Sequence, residues 1–249
     1  MGGFQESEKA ISPKNALMGT GDRARTVTMK KTFGTPPAPS ESRTVLQKVN
    51  WQKYEQLLAE MESDRTARFT YDHGRLEMMN PLEEHERCHK LVESLILVLV
   101  DELDIPLVTY KTPTLKRIDR QVGTEPDTAY YIQHAEQMQG KSRINLETDP
   151  PPDLVLDVEL SRSSFNKFAI YAALGIPEVW RYISKPGETF LKGNLFIHYL
   201  EGDRYIEEDY GLAFPFLSAG RILQFIDQSD ALGLATALRD LRHWVQSQI

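Results

Sequence analysis

Between positions 83 and 103 the apolar residues Cys88, Leu91, Val92, Leu95, Ile96, Leu99, Val100 and Leu103 return every three or four places. That period predicts one long helix, Glu83 to Leu103, with a wide buried face. A shorter helix is expected from Asn50 to Met61, where Tyr54, Leu57, Leu58 and Met61 form a stripe. Between the two, "ARFTYDHGRLEMMNP" alternates apolar and polar positions around Asp72-His73-Gly74, the pattern of a β-hairpin. In it, Glu77 alternates outward from the apolar side chains.

Further along, "PLVTYKTPTLKR", "PDTAYYI" and "PDLVLDVEL" read as strands. The last is apolar enough at Leu154, Val155, Leu156 and Val158 to be central and covered on both faces. A helix from Ser164 to Leu174 should stop at Gly175 and Pro177, followed by the strand "EVWRYI" and a hairpin in "HYLEGDRYIEE". Helical stretches at Ala219 to Ile226 and Ala231 to Val245 close the chain. Interleaved strands, helices and hairpins imply a mixed-sheet α/β fold.

Residues 1–46 are rich in Gly, Ser, Thr, Pro and charge without sustained periodicity, and are expected to be a flexible tail. The organisation expected is that tail, one domain over 47–228, and a C-terminal helix over 229–249 packed on it. With 249 residues and an apolar fraction of 41%, the chain can bury a sizeable core. A net charge of -7 argues against a surface that grips nucleic acid everywhere, but leaves room for a local basic rim. Lys116, Arg117, Lys141, Arg143 and Arg162 are candidates for such a rim, although scattered basic residues usually make only a solvated face. One cysteine, Cys88, excludes an intrachain disulfide and a thiolate zinc cluster. No apolar run approaches the roughly 20 residues of a membrane span, and the N-terminus lacks a secretory pattern, so cytoplasmic residence is expected.

"HERCH", residues 85–89, matches the HExxH pattern of zinc proteases. On a helical wheel at about 100° per residue, His85 falls within about 20° of Val92 and continues the inward stripe. Positions 92 and 95 are Val and Leu, so the extended motif has no third histidine. A zinc peptidase stays a minor alternative, and His85 is instead a candidate for the edge of another site.

Asp157 and Glu159 are one residue apart on a predicted strand, so both point to one face. Two acids on a central strand need a compensating cation. Asp127 begins another strand after Pro126, and Glu77 and Lys167 can reach the same place if the strands are neighbours. Such carboxylates suit Mg²⁺ or Mn²⁺. Asp153, after the prolines, belongs more naturally to a turn.

The segments "GTEPDTAYYI", "PPPDLVLDVELSRSS", "NKFAIYAALGIPEVWRY", "YLEGDRYIE" and "AFPFLS", in this order, resemble the Uma2 family. That family is abundant in cyanobacteria and assigned to the PD-(D/E)xK restriction-endonuclease-like superfamily. The resemblance covers roughly residues 47 to 228. It implies a restriction-endonuclease-like mixed sheet flanked by helices, a divalent metal (Mg²⁺, or Mn²⁺), DNA as substrate and a homodimer, for which Tyr182, Phe190, Phe196 and Tyr199 offer aromatic surface. Asp127 looks like the aspartate of the PD motif, and Asp157 matches the second acidic position. Glu159 stands where the nominal lysine would be, and Lys167 is then the replacement cation. Glu77 corresponds to an additional acid, and His85 to a residue near the site. The expectation is a metal-dependent DNA endonuclease with Asp127, Asp157 and Glu159 on the metal and Lys167 stabilising charge. The alternative is an inactive DNA-binding or assembly module on the same fold.

Overall fold

The computed structural model describes residues 41–61, 67–160, 165–184 and 192–249, with the side chains of 83–85 also outside the description. Two sheets organise it. The first has the order β1 (Ser42–Leu46), β3 (Arg75–Asn80), β2 (Arg68–Asp72), β6 (Val122–Thr124) and β5 (Leu115–Arg117), antiparallel throughout. The second has the order β11 (Arg204–Glu208), β10 (Gly193–Glu201), β9 (Glu178–Ser184), β8 (Leu154–Glu159), β7 (Thr128–Tyr131) and β4 (Val108–Lys111). Only its central pair β8–β9 is parallel, as a crossover through α4 (Lys167–Leu174) requires. The expected mixed α/β architecture is the one observed.

Alternation along β8 divides the core. Leu154, Leu156 and Val158 enter a cluster with Tyr130, Trp180 and Tyr182 that packs under α2 (Glu83–Leu103), α5 (Ala219–Leu232) and α6 (Leu234–Gln246). Val155, with Ala129 and Val179, faces the other way, into a second cluster with Ile170, Tyr171 and Leu174 of α4. Every residue of β8 is buried, so the central strand read from its apolar run is covered on both sides. The face that carries Val155 also carries Asp157 and Glu159.

Local chemistry explains the element ends. The Asn50 side chain accepts the Lys53 amide at 2.8 Å and starts α1 (Trp51–Glu60). His73 (φ 44°) and Gly74 (φ 90°) make the tight turn between β2 and β3. Gly175, left-handed, stops α4 at the expected place. Gly233 separates α5 from α6, so the first terminal helix runs longer than its apolar stripe suggested.

Three differences stand out. Ser42–Leu46, expected within the tail, form β1 on the edge of the first sheet, because Ser42 to Leu46 pair with Asn80 to Leu76; the earlier part of the tail lies outside the described residues. "PLVTYKTPTLKR" is not one strand: β4 and β5 part at Thr112 to Thr114 and enter different sheets. Glu77, expected to point away from the apolar side chains of its hairpin and toward the acidic site, is buried, 1% exposed, and is held by Arg43 of β1, which pairs alongside β3. Of the aromatics considered for a self-interface, Tyr182 is consumed by the main core, and Phe190 lies outside the described residues. Among the described residues no helix is long and apolar enough to cross a membrane. The C-terminal helix α6 packs through Ala237, Leu241 and Val245 into the main core.

Candidate active site

Asp127 sits where β7 begins. Pro126 before it has no amide hydrogen to continue a ladder, and the pairing of Thr128 with Leu156 is the last step of β7 against β8. The Asp127 amide donates to the Leu156 carbonyl at 3.1 Å. Its side chain then takes over from the backbone, Oδ2 accepting the amide hydrogen of Val158 at 2.6 Å. Oδ1 accepts from Arg68 of β2, whose other amino group reaches Glu86 of α2 at 3.1 Å. Asp127 is fully buried, and its contacts with Arg68 of the first sheet and Val158 of the second tie the two sheets together.

Asp157 and Glu159 emerge on the same face of β8, as their spacing predicts. On the parallel neighbour, Arg181 stands in register with Asp157. Lys167, the first residue of α4, donates to both Asp157 oxygens at 2.7 and 2.9 Å. Arg181 holds Glu159 in a two-pronged contact, Nε to Oε1 at 3.0 Å and Nη2 to Oε2 at 2.7 Å. These four charged side chains, with Asn166 and Phe168, line a cleft of ≈ 50 Å³. Asp127 is behind it rather than in its wall.

The electrostatics follow from burial. Asp157 is pushed above the ordinary aspartate range by burial; Lys167 opposes this, while Glu159 and Asp127 add to it. Burial acts to lower Lys167, but Asp157, Glu159 and Asp127 together hold it above its ordinary value, so it remains an ammonium. It is therefore a charge partner and hydrogen-bond donor, not a base.

Glu77 is elsewhere. It accepts from Arg43 of β1 at 2.8 Å and does not line the cleft. The side chain of His85, at the start of α2, lies outside the described residues, as does Arg162. His89, the second histidine of HERCH, is buried, and its Nε2 is bonded to the Thr128 hydroxyl. Burial lowers its pKa, outweighing Asp127, Glu93 and Glu86, and the ring is neutral. Glu86 turns to Lys111 at 3.0 Å and to Arg68. Asp153 closes a turn, as expected, accepting from the amides of Ile132 and His134. Among the rim candidates, Lys116 and Arg143 share a separate groove with Lys111, of ≈ 430 Å³. Arg117 and Lys141 bind Asp119 and Asp149.

Arg68 and Arg181 were not read from the sequence. The signal for Arg181 lay in "EVWRYI", where it replaces an apolar residue on the face shared by Val179 and Ile183. A charge in that alternation, beside a strand with two unpaired acids, is a cation already in place. Arg68 has no comparable signal, since its partner Asp127 is 59 positions away.

A divalent metal fits this donor set in chemistry. Asp157 and Glu159 are hard oxygen donors in one cleft, and Mg²⁺ commonly takes one or two carboxylates with water and substrate phosphate completing its shell. A carboxylate offers about four lone-pair sites, so contact with Lys167 or Arg181 does not exhaust it. The raised pKa of Asp157 is also a demand for more positive charge than Lys167 supplies. Among the described residues, no three His, Cys, Asp or Glu side chains already stand grouped as a ligand set.

Comparison with known proteins agrees with the residue pattern. Residues 51–224 match the Uma2 family, described as "Putative restriction endonuclease". A solved structure described as a "putative nuclease belonging to DUF820 from Anabaena variabilis ATCC 29413" is similar at 16% identity, with 64% of this chain and 90% of that chain covered and a TM-score of 0.43. No curated protein matches the chain.

Proposed function

The chain belongs to the Uma2 family, and from that premise we propose that it is a divalent-metal-dependent endonuclease hydrolysing phosphodiester bonds in DNA. The observation that carries this reading is the cleft in which Asp157 and Glu159 meet Lys167 and Arg181. Mg²⁺, or Mn²⁺ in its place, would be held by Asp157 and Glu159, with Asp127 adding negative field from behind. When bound, it supplies Lewis acidity toward the phosphoryl oxygens and lowers the pKa of water.

The chain's own groups do the rest. Lys167 keeps Asp157 oriented and supplies positive charge that the low local dielectric strengthens. Glu159 either completes the metal's protein ligands or, in place of that role, takes a proton from the attacking water. The water oxygen bonds to phosphorus as the phosphorus–oxygen bond to the sugar breaks, and the departing sugar oxygen is protonated from solvent. Phe165 and Phe168 narrow the cleft and limit bulk water.

One observation favours a second reading, an inactive DNA-binding or assembly module. Each acid of the cluster already has its own cation, Asp127 with Arg68, Asp157 with Lys167 and Glu159 with Arg181. Incubation of the full chain with supercoiled and linear DNA in Mg²⁺, Mn²⁺ or EDTA separates the two. Cleavage in metal that disappears in D157N supports the nuclease; DNA binding without cleavage in either metal supports the module. The homodimer is a further part of the proposal, and equilibrium sedimentation of the full chain tests it.

A further inference from the structure

We infer that Arg181 is the phosphate-binding residue of the cleft, aimed by Glu159 and offering its Nη1 edge to the scissile phosphate. This assignment rests on the nuclease reading for the identity of the substrate, though not for the binding of phosphate itself.

Four observations support it. Side-chain exposure separates the charged groups of the cleft: Asp157 3%, Glu159 5%, Lys167 12% and Arg181 29%. An incoming anion meets Arg181 first. Its guanidinium is half committed, since Nε and Nη2 grip Glu159 while Nη1 has no hydrogen-bond partner among the described residues. The plane is fixed on a second side by Phe168, whose ring centroid lies 5.2 Å from the guanidinium carbon. A guanidinium held on two sides loses little further freedom on binding, and its open edge matches a phosphate oxygen pair. Finally, the arginine shares one cleft with both carboxylates and with Lys167, so an anion held on it lies beside the candidate metal ligands. A contact of this kind is made to the phosphate backbone and carries no sequence information.

Charge arithmetic adds a linkage. Asp157 and Glu159 cancel Lys167 and Arg181, and Asp127 cancels Arg68. A phosphate entering alone finds no net positive charge. A divalent cation on the carboxylates changes that, so phosphate and metal bind together, the metal on the acidic side and the phosphate on Arg181.

The test uses the full chain with Mg²⁺ and inorganic phosphate as probes. Thermal unfolding is followed with each alone and both together, for the native protein, R181K, R181A and the double variant E159Q/R181A. The double variant removes the carboxylate that R181A would strand and so guards against misfolding. Native protein should gain more melting temperature from the pair than from the sum of the two. R181A and E159Q/R181A should lose that surplus, R181K should keep part of it, and R181A should retain the response to Mg²⁺ alone. No surplus in the native protein, or a full surplus in both variants lacking the arginine, overturns the assignment whether or not DNA is cleaved. In a parallel cleavage assay, R181A should lower kcat by about 100-fold, the scale of one lost transition-state donor, with KM changed much less. Absence of cleavage by the native protein with the Mg²⁺–phosphate surplus intact would reject the nuclease and leave Arg181 as a phosphate site.

Discussion

Asp127 Oδ2 accepts the amide hydrogen of Val158 at 2.6 Å, so a side chain continues the β7–β8 ladder one step past its last backbone pair. The same carboxylate is the buried partner of Arg68. Its structural and chemical roles can be pulled apart by two substitutions. D127A removes both contacts and leaves Arg68 buried without this partner, a change that costs about 3–5 kcal/mol. D127N keeps an oxygen for Val158 and should cost clearly less. Urea unfolding reads the difference. Both variants should lose metal-dependent cleavage, because the field behind Asp157 is lost in each.

Lys167 and Asp157 form the second buried pair, and their energetics should be strongly non-additive. K167M strands a buried carboxylate whose pKa is already pushed up by burial, and D157N leaves an ammonium without its main partner. Each single change should destabilise by roughly 3 kcal/mol or more. The double variant D157N/K167M should recover much of that loss, because no uncompensated charge remains. Equal, additive losses in the double-mutant cycle would mean that the two groups do not act as a pair.

How much of this was legible in the sequence depends on the range of the interaction. Periods of three to four and of two placed α2, β8 and the β2–β3 hairpin, since each is set by neighbours a few residues apart. Asp157 and Glu159 were readable for the same reason: a spacing of two on a strand fixes a shared face. What failed was long-range. Glu77 was read as a further acid of the site because nothing in its hairpin announces that Ser42–Leu46 will pair with it and bring Arg43 alongside. β6 is only Val122–Thr124, too short for a period to form. Lys167 was legible from its place at the start of the helix after β8, Arg181 left a trace as a charge in the alternation of "EVWRYI", and Arg68 becomes visible only once the strand order is known.

Metal binding should be coupled to the ionisation of Asp157. Its folded-state pKa is raised, so the folded protein holds that proton to a higher pH than the unfolded chain does. Ligation needs the carboxylate. The stabilisation given by Mg²⁺ should therefore be full near neutral pH and fade on acidification, beginning above the ordinary aspartate range of about 3.9. Melting curves with and without Mg²⁺ across pH 8 to 4, roughly spanning the interval between these values, measure this. D157N should show little Mg²⁺ response at any pH. A native response that stays constant down to the ordinary aspartate range would contradict the coupling.

The acid limb of overall stability has a different source. His198 of β10 lies under Phe168, ring centroids 4.5 Å apart, and its pKa is lowered to about 4 by burial and by Arg181, with the backbone at Phe196 opposing. Glu207 of β11 approaches Nε2 at 3.7 Å but is largely exposed, so solvent weakens its pull toward the charged form. In the unfolded chain the imidazole titrates near 6.5. Above that pH both states are neutral and His198 leaves stability untouched by pH. As pH falls from about 6.5 toward 4, the unfolded chain takes up a proton that the folded one refuses, and stability is lost. The interval of roughly 2.5 units corresponds to a loss on the order of 3 kcal/mol at most. H198N keeps a polar side chain of similar reach without the titration, so its stability should fall less steeply over the same interval. Urea midpoints at pH 7, 5.5 and 4.5, values chosen roughly to bracket the two pKa limits, check this, and matching slopes for native protein and H198N would assign the acid limb to other groups.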